Sequence, residues 1–142
     1  MNADFSVTTV DDNESLARFI LRSNWIHKID NTPTQNAFIP PIDLKLSVTR
    51  HVGMSESELW HQGKDVAAAR KLPLYGRADI VALSVRNQFL LVDPAPIPSN
   101  KNHANITGWP PDKERRKIIA LELAREAYYH QNPELINQKT NG

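Results

Sequence analysis

Polar side chains alternate with apolar ones in two short segments, SVTRH and HANIT. Ser47, Thr49 and His51 occupy alternate positions of the first segment, and His103 and Asn105 do so in the second. Alternate side chains of a strand project from one face, so two such strands lying side by side would place both histidines on one polar surface. Imidazole suits proton transfer near neutral pH, and hydroxyl or amide groups can hold an oxyanion. His51 and His103 are therefore the candidate catalytic residues, and Ser47, Thr49 and Asn105 are candidate ligand-binding residues.

Three cationic residues could add positive charge to such a surface. Arg50 lies in the predicted strand 44–52, Arg77 begins the segment interpreted as a short helix, and Lys113 lies near the start of a predicted helix, where anions are favoured. Together they predict a pocket for a phosphate-bearing small molecule. A solvated sheet face explains the same polar residues equally directly, and it is the commoner case in antiparallel sheets.

The sequence lacks the motifs of several other kinds of site. It contains no cysteine, which excludes disulfides, thiolate nucleophiles and cysteine-ligated zinc. Its five histidines form no His-x3-His or HExxH pair, and GxGxxG, Walker and GxSxG motifs are missing. The sequence therefore predicts no metal site and no cofactor, and it leaves open whether the chain is an enzyme.

Length and composition fit one globular domain. The chain has 142 residues, of which 40% are hydrophobic and 23% charged, as is typical of soluble proteins. Its net charge of +1 is too small to indicate nucleic acid as a partner. No basic segment followed by an apolar one opens the sequence, and no apolar run reaches membrane-spanning length. We expect a cytoplasmic protein without membrane association.

The N-terminal part is predicted to be a helix followed by an extended arm. A helix is predicted at about residues 12–23, because Asp11 and Glu14 have capping-box spacing and apolar residues follow at helical intervals. The polar, proline-containing stretch after it does not favour regular structure. Residues 1–43 are therefore assigned to an N-terminal helix and arm.

Strands are predicted at residues 44–52, 88–93 and 103–107, where apolar residues alternate or form short runs. A helix after the first strand is predicted from the capping box of Ser55 and Glu58.

Two further helices complete the expected elements. Residues 77–87 are interpreted as a short helix, although DIVALSV is also compatible with a buried strand. The segment PPDKERRKIIALELAREAYYHQ, residues 110–131, opens with proline as helices often do and has a wide apolar stripe, which indicates the helix on which the sheet packs.

These elements predict an α+β fold. It consists of a small, mostly antiparallel sheet covered on one face by helices, with the N-terminal helix and arm packed outside. Residues 44–131 form the core of this single domain, and residues 132–142 form a frayed tail.

The segments SVTRHVGMSESELW, LYGRAD and HANITGWPPDK resemble a group of small uncharacterised bacterial proteins. The resemblance covers about residues 40–127. It implies a bacterial origin and no particular activity.

Two functions of different classes follow from these patterns. The first is a binding or accessory module that engages another protein, or a second copy of itself, through the N-terminal arm or the sheet edge. The alternative is an enzyme or receptor for a phosphate-bearing small molecule or nucleotide that uses His51 and His103 to hold a small anion.

Overall fold

The chain folds as a twisted antiparallel sheet with helices on both sides. The computed structural model describes residues 8–135, and within them the six-stranded sheet has the order β4-β5-β2-β1-β3-β6. The strands are β1 (Ser15–Ile20), β2 (Leu46–Arg50), β3 (Gly76–Val81), β4 (Leu91–Pro94), β5 (His103–Thr107) and β6 (Tyr128–Gln131). The α-helices are α1 (Glu56–Arg70), α2 (Ala82–Arg86) and α3 (Lys113–Glu126), and short 3-10 helices span Ser23–Trp25 and Gln35–Phe38. The predicted α+β class with an antiparallel sheet is confirmed.

Among the α-helices within residues 8–135, none combines the length and the apolar character needed to cross a lipid bilayer.

Strands β2 and β5 are neighbours, which is the condition under which the two alternating segments share one polar surface. Thr49 lies opposite His103, and Ser47 lies opposite Asn105. Since side chains of directly opposed residues project from the same face, these polar groups line one side of the sheet.

The predicted N-terminal helix is wrong, because this segment is the strand β1. The amide of Asp11 does donate to the Glu14 carboxylate (2.7 Å), but the chain then extends between β2 and β3. Leu16 and Ala17 are both fully buried although they point to opposite faces. A strand buried on both faces has apolar residues at nearly every position, and over a few residues this pattern also fits a helix.

Helices cover both faces of the sheet rather than the single face predicted. Beneath α2 and α3 lies the larger core, which includes Leu16, Leu46, Val85, Ile106 and Leu123. Beneath α1 lies a second core of Ala17, Phe19, Leu21, Leu59, Ala67 and Leu74. Each fully buried aliphatic side chain contributes about 1.5–3 kcal/mol, so β1 is stable only with cover on both sides.

The segment predicted as a helix at 77–87 divides into β3 and α2. It supplies a strand because it pairs with β1 on one side and with β6 on the other. A Cβ atom at Gly76 would lie 2.3 Å from the His130 carbonyl oxygen, so glycine is what lets β6 approach. Strand β6 was predicted as part of the last helix, which instead ends at Glu126.

The other boundaries agree more closely with the sequence. The capping box of Ser55 and Glu58 forms at the start of α1, as predicted. Strand β4 begins at Leu91 rather than 88, because Phe89 turns the chain with a φ of 62°. Asn132, the first residue of the predicted tail, is buried and donates to the Leu74 carbonyl (3.0 Å), whereas 136–142 lie outside the described residues.

A buried ion pair joins β2 to the turn that leads into β1. The Arg50 guanidinium, 1% exposed, donates to both carboxylate oxygens of Glu14 (2.8 and 2.9 Å). Arg50 alternates with Leu46 and Val48, so it projects to the α2–α3 side and not to the polar face where the sequence suggested a ligand. The pair therefore stabilises the larger core.

Glu14→Gln is expected to reduce the free energy of unfolding by about 3 kcal/mol near neutral pH, because buried Arg50 loses its carboxylate. Partial burial acts to raise the pKa of Glu14, but hydrogen bonds from Arg50 and from the Asp11 amide outweigh it and hold the pKa below its ordinary value. A carboxyl group whose pKa is lowered by folding stabilises the folded state. This contribution is complete above the pKa of the unfolded chain, about 4.3, and it is lost as the pH falls through the pKa of the folded state. The difference between wild type and variant in urea unfolding should therefore shrink below about pH 4.3.

Glu122→Gln is the matched control, because Glu122 pairs with Arg125 on the exposed side of α3. It should change the unfolding free energy by less than about 1 kcal/mol. Equal losses in the two variants would contradict a special role for the Glu14–Arg50 pair.

Candidate functional site

A cleft opens between α1 and the polar half of the sheet. Residue pairing of β1 with β2 is confined to Leu16 with Arg50 and Ala17 with Thr49. The His51 amide donates to the Ser15 carbonyl (3.0 Å) at one end of this pairing, and at the other end, toward Arg18 and Ser47, the strands separate. The cavity above the gap has a volume of about 250 Å³. We call it the α1 cleft. It is lined by Arg18, Phe19, Leu21, Ser47, Val48, Thr49, Gln62, Asp65, Val66, Ala69, Arg70, Ile97, Ser99, Asn100 and His103.

One face of α1 forms a wall of the cleft. Its lining residues are Gln62, Asp65, Val66, Ala69 and Arg70, which recur at the spacing of one helical face. Arg70 is the last residue of α1, where a cation interacts favourably with the helix dipole. The wall thus combines apolar surface with one acidic and one basic group.

Arg18 is a cation in the gap between β1 and β2. Its Nε donates to the Ala37 carbonyl (2.8 Å) and its Nη1 to the Ser47 carbonyl (3.1 Å), while the guanidinium carbon lies 4.8 Å from the centroid of the Trp25 ring. These bonds occupy two of the five N–H donors of the guanidinium and leave three. No carboxylate within residues 8–135 forms an ion pair with Arg18.

The surroundings of Arg18 disfavour its charge. Burial lowers the pKa of Arg18, and the nearby charge of Arg70 lowers it further, to about 10. The side chain therefore remains cationic near neutral pH. A charge in such surroundings is stabilised by an anion. Asp65 is the one carboxylate in the cleft lining, and among the described residues it pairs with His61 and not with Arg18.

The opposite wall is built from β2 and the loop before β5. Thr49 and Asn100 are only 2% and 4% exposed, and the Asn100 amide donates to the Thr49 hydroxyl oxygen (2.9 Å). Asn102 fixes the loop, because its backbone N–H donates to the Asn100 side chain (3.0 Å) and its amide to the Arg50 carbonyl (2.8 Å). The Thr49 oxygen thus accepts a hydrogen bond, and across the described chain its own proton has no acceptor. This wall offers the cleft an O–H donor.

His103 adds an acceptor beside that donor. Its Nδ1 lies 2.8 Å from the Ala95 carbonyl oxygen. Because a carbonyl oxygen can only accept, Nδ1 must carry the proton. In the neutral imidazole, Nε2 then has a free lone pair, and no group in residues 8–135 donates to it. His103 therefore presents a hydrogen-bond acceptor to the cleft.

His51 belongs to a different set of contacts on the same face. Its Nε2 lies 3.0 Å from one oxygen of Asp79, and the Nε2 of His130 lies 3.3 Å from the other. Arg77 donates from Nε to both Asp79 oxygens at 3.1 Å. We call these four residues the Asp79 cluster. The two predicted catalytic histidines therefore lie in different sets of contacts: His51 belongs to the Asp79 cluster, and His103 lines the α1 cleft.

Arg77 ties α1 to the sheet. It is 2% exposed, donates to both oxygens of Glu56 at the start of α1 (3.1 and 2.7 Å) and stacks 4.6 Å from the centroid of Trp60. The hydrogen bond from Arg77 is the main cause that lowers the pKa of Glu56. Two carboxylates thus neutralise the Arg77 charge, which leaves little attraction for an external anion.

The remaining predicted ligand-binding residues lie at different distances from the cleft. Ser47 and Thr49 line it, as does His103. Asn105 projects from the same face but is not part of the lining. Lys113 is exposed in the first turn of α3, on the other side of the sheet.

The sequence prediction missed Arg18, Arg70 and Asn100. A signal for Arg18 exists in the segment LARFIL, where one charge interrupts an apolar run. Once this segment is a strand, Arg18 alternates with Leu16 and Ile20 and projects to the α2–α3 side of the sheet, from which it reaches the cleft at the gap between β1 and β2. The other two residues give no comparable signal, because only the fold brings their elements to the cleft.

Within residues 8–135 no group of three or more histidine, aspartate or glutamate side chains is arranged to hold a metal ion. No protein-family model, curated protein or solved structure gives a significant match to this chain. A function can therefore be proposed only from the chemistry of the site.

Asp79→Asn is expected to reduce the free energy of unfolding by about 3 kcal/mol, because it removes one of the two charges that neutralise buried Arg77. Chemical unfolding measures this loss. The control is Asp12→Asn, which breaks an exposed pair with Arg86 and should cost less than about 1 kcal/mol. An Asp79 variant as stable as the control would show that the Asp79 cluster does not hold α1 on the sheet.

Proposed function

We propose that this protein is a receptor for a small organic anion with an apolar body, bound in the α1 cleft. The observation that carries the proposal is the Arg18 guanidinium, which lines the cleft and has no carboxylate partner among the described residues. Arg50 and Arg77, the fully buried arginines of the described chain, each have at least one carboxylate partner. This contrast supports an anionic ligand as the partner of Arg18.

A carboxylate suits the donors that remain on Arg18. With Nε and one Nη1 hydrogen already in use, three N–H groups remain, one on Nη1 and two on Nη2, so both terminal nitrogens can still donate. Two parallel N–H···O bonds to a carboxylate use these two nitrogens, and charge-assisted bonds of this kind are about twice as strong as neutral ones. Arg70 adds a second positive charge at the same cavity.

The dimensions of the cleft favour a small ligand. A dry cavity of about 150 Å³ holds benzene, so the observed volume accommodates about ten non-hydrogen atoms. This is too few for a nucleotide and is sufficient for a monocarboxylic acid. Phe19, Leu21, Val48, Val66 and Ile97 supply the surface against which an apolar body would pack.

Isothermal titration with hexanoate and phenylacetate tests the proposal. Both should bind, whereas hexanamide, which has the same shape and no charge, should bind at least about tenfold more weakly. Arg18→Met should reduce hexanoate affinity by at least about tenfold, because it keeps much of the side-chain volume and removes the guanidinium. Arg115→Met, at an exposed position of α3, is the matched control and should bind as wild type does.

A second variant tests the location of the site independently, in case Arg18→Met does not fold. Ala69 is exposed on α1 and lines the cleft, so Ala69→Trp should block the cavity without disturbing the core. Loss of binding in this variant, with an unchanged melting temperature, supports the location of the site. Equal affinity for hexanoate and hexanamide, or no binding of either acid, would contradict the proposed receptor.

Self-association through the β4 edge is the second candidate function. Phe89 is 93% exposed and Leu91 58% exposed beside a strand that has a neighbour on one side only. Such an edge presents unpaired backbone groups, and exposed apolar side chains next to it favour pairing with a second copy.

Sedimentation velocity over a range of protein concentrations tests this second candidate. We expect a concentration-dependent dimer that Phe89→Ser abolishes, because the substitution removes the largest exposed apolar side chain at the edge. Ile118→Ser, which removes an exposed side chain on α3, should leave the dimer intact. A monomer at every concentration would exclude self-association through this edge.

A further inference from the structure

We infer that the ligand of the α1 cleft is a hydroxycarboxylate, with a hydroxyl group that binds between Thr49 and His103. This inference rests on the proposed function and names the ligand class of the same site. It comes from the wall opposite Arg18, where one donor and one acceptor stand side by side without protein partners among residues 8–135.

The acceptor is Nε2 of His103. The 2.8 Å contact between Nδ1 and the Ala95 carbonyl fixes the proton on Nδ1, so neutral His103 can only accept at Nε2. The donor is the Thr49 hydroxyl, whose oxygen already accepts from Asn100 at 2.9 Å. Thr49 is 2% exposed, so its proton finds a partner only within the cleft.

The two groups are close enough to share one ligand atom. Thr49 and His103 are directly opposed in the β2–β5 ladder, where Cβ atoms lie about 5 Å apart. A ligand oxygen above the pair can therefore reach both side chains. This spacing is set by the sheet and does not depend on loop conformation.

Only some functional groups satisfy both partners. A hydroxyl donates to His103 and accepts from Thr49 at the same oxygen. A keto or ether oxygen accepts only and leaves Nε2 without a donor. An ammonium group donates only, so it cannot accept from Thr49. In this cavity it would also face two cations, Arg18 and Arg70, against one carboxylate, Asp65.

A ligand series on the wild-type protein provides the first test. At about pH 8, where an ordinary imidazole is neutral, at least one of 2-, 3- and 6-hydroxyhexanoate should bind about tenfold more tightly than hexanoate. The methoxy analogue of that acid can accept from Thr49 but cannot donate to His103, so it should lose this advantage. The 2-oxo and 2-amino analogues should also bind no better than hexanoate.

A matched variant provides the second test. In His103→Asn the amide nitrogen takes the place of Nδ1 and can still donate to the Ala95 carbonyl, while the acceptor at Nε2 is removed. The variant should bind hexanoate as wild type does and should lose the preference for the hydroxy acid. His61→Asn, at an exposed position of α1, should keep the preference.

The outcomes separate this inference from the proposed function. If hexanoate binds and no hydroxy acid binds more tightly, or if the methoxy or amino analogue is preferred, the hydroxyl site is overturned and the anion receptor remains. If His103→Asn retains the full preference, the assignment to Nε2 is overturned. If neither hexanoate nor any hydroxy acid binds, the proposed receptor itself fails.

Discussion

Burial of β1 on both faces is the constraint on which the rest of this structure depends. Leu16 and Ile20 pack under α2 and α3, while Ala17 and Phe19 pack under α1. A central strand with apolar residues on both sides requires a helix on each face, so α1 must cross a side of the sheet that is polar over much of its area. Helix α1 approaches closely at Gly63, where an added Cβ would lie 2.8 Å from the Phe19 ring. It cannot seal the polar half in the same way, and the α1 cleft is the space that results.

The arginines of the sheet show how differently the fold treats a charge in its interior. Arg50 faces Glu14, and Arg77 lies between Glu56 and Asp79. Arg18 has two carbonyl oxygens and the Trp25 ring, all uncharged groups. A partly buried charge without a counter-ion reduces stability, so the position of Arg18 beside a cavity favours a role in binding over a role in packing. The same reasoning applies on a smaller scale to Thr49 and His103, whose remaining donor and acceptor are turned toward that cavity.

The pairing of polar strand faces was accessible from the sequence, but the division of those faces into two sites was not. Alternation in SVTRH and HANIT predicted that these side chains share one face if the two strands pair; the structure pairs the strands and sets Thr49 opposite His103. Whether His51 would join them depended on Asp79, which comes from β3, a segment whose apolar spacing also fits a helix. Once β3 is a strand, its Asp79 carboxylate lies 3.0 Å from His51 Nε2 and holds His51 in the Asp79 cluster, because a carboxylate is a strong hydrogen-bond acceptor.

The sequence by itself determined the features that depend on a few neighbouring residues. These are the α+β class, the strands around Val48 and Ile106 and the capped start of α1 at Ser55, because alternation and capping act over a single strand or helical turn. The tertiary structure decided whether LARFIL and RADIVAL would be strands, since an apolar run a few residues long satisfies either period until pairing partners are present. It also decided the site, because Arg18, Arg70 and Asn100 lie far apart along the chain and meet only where β1 and β2 separate beneath α1. The physical reason is that a cleft results from how elements pack, and no local pattern encodes the gap between them.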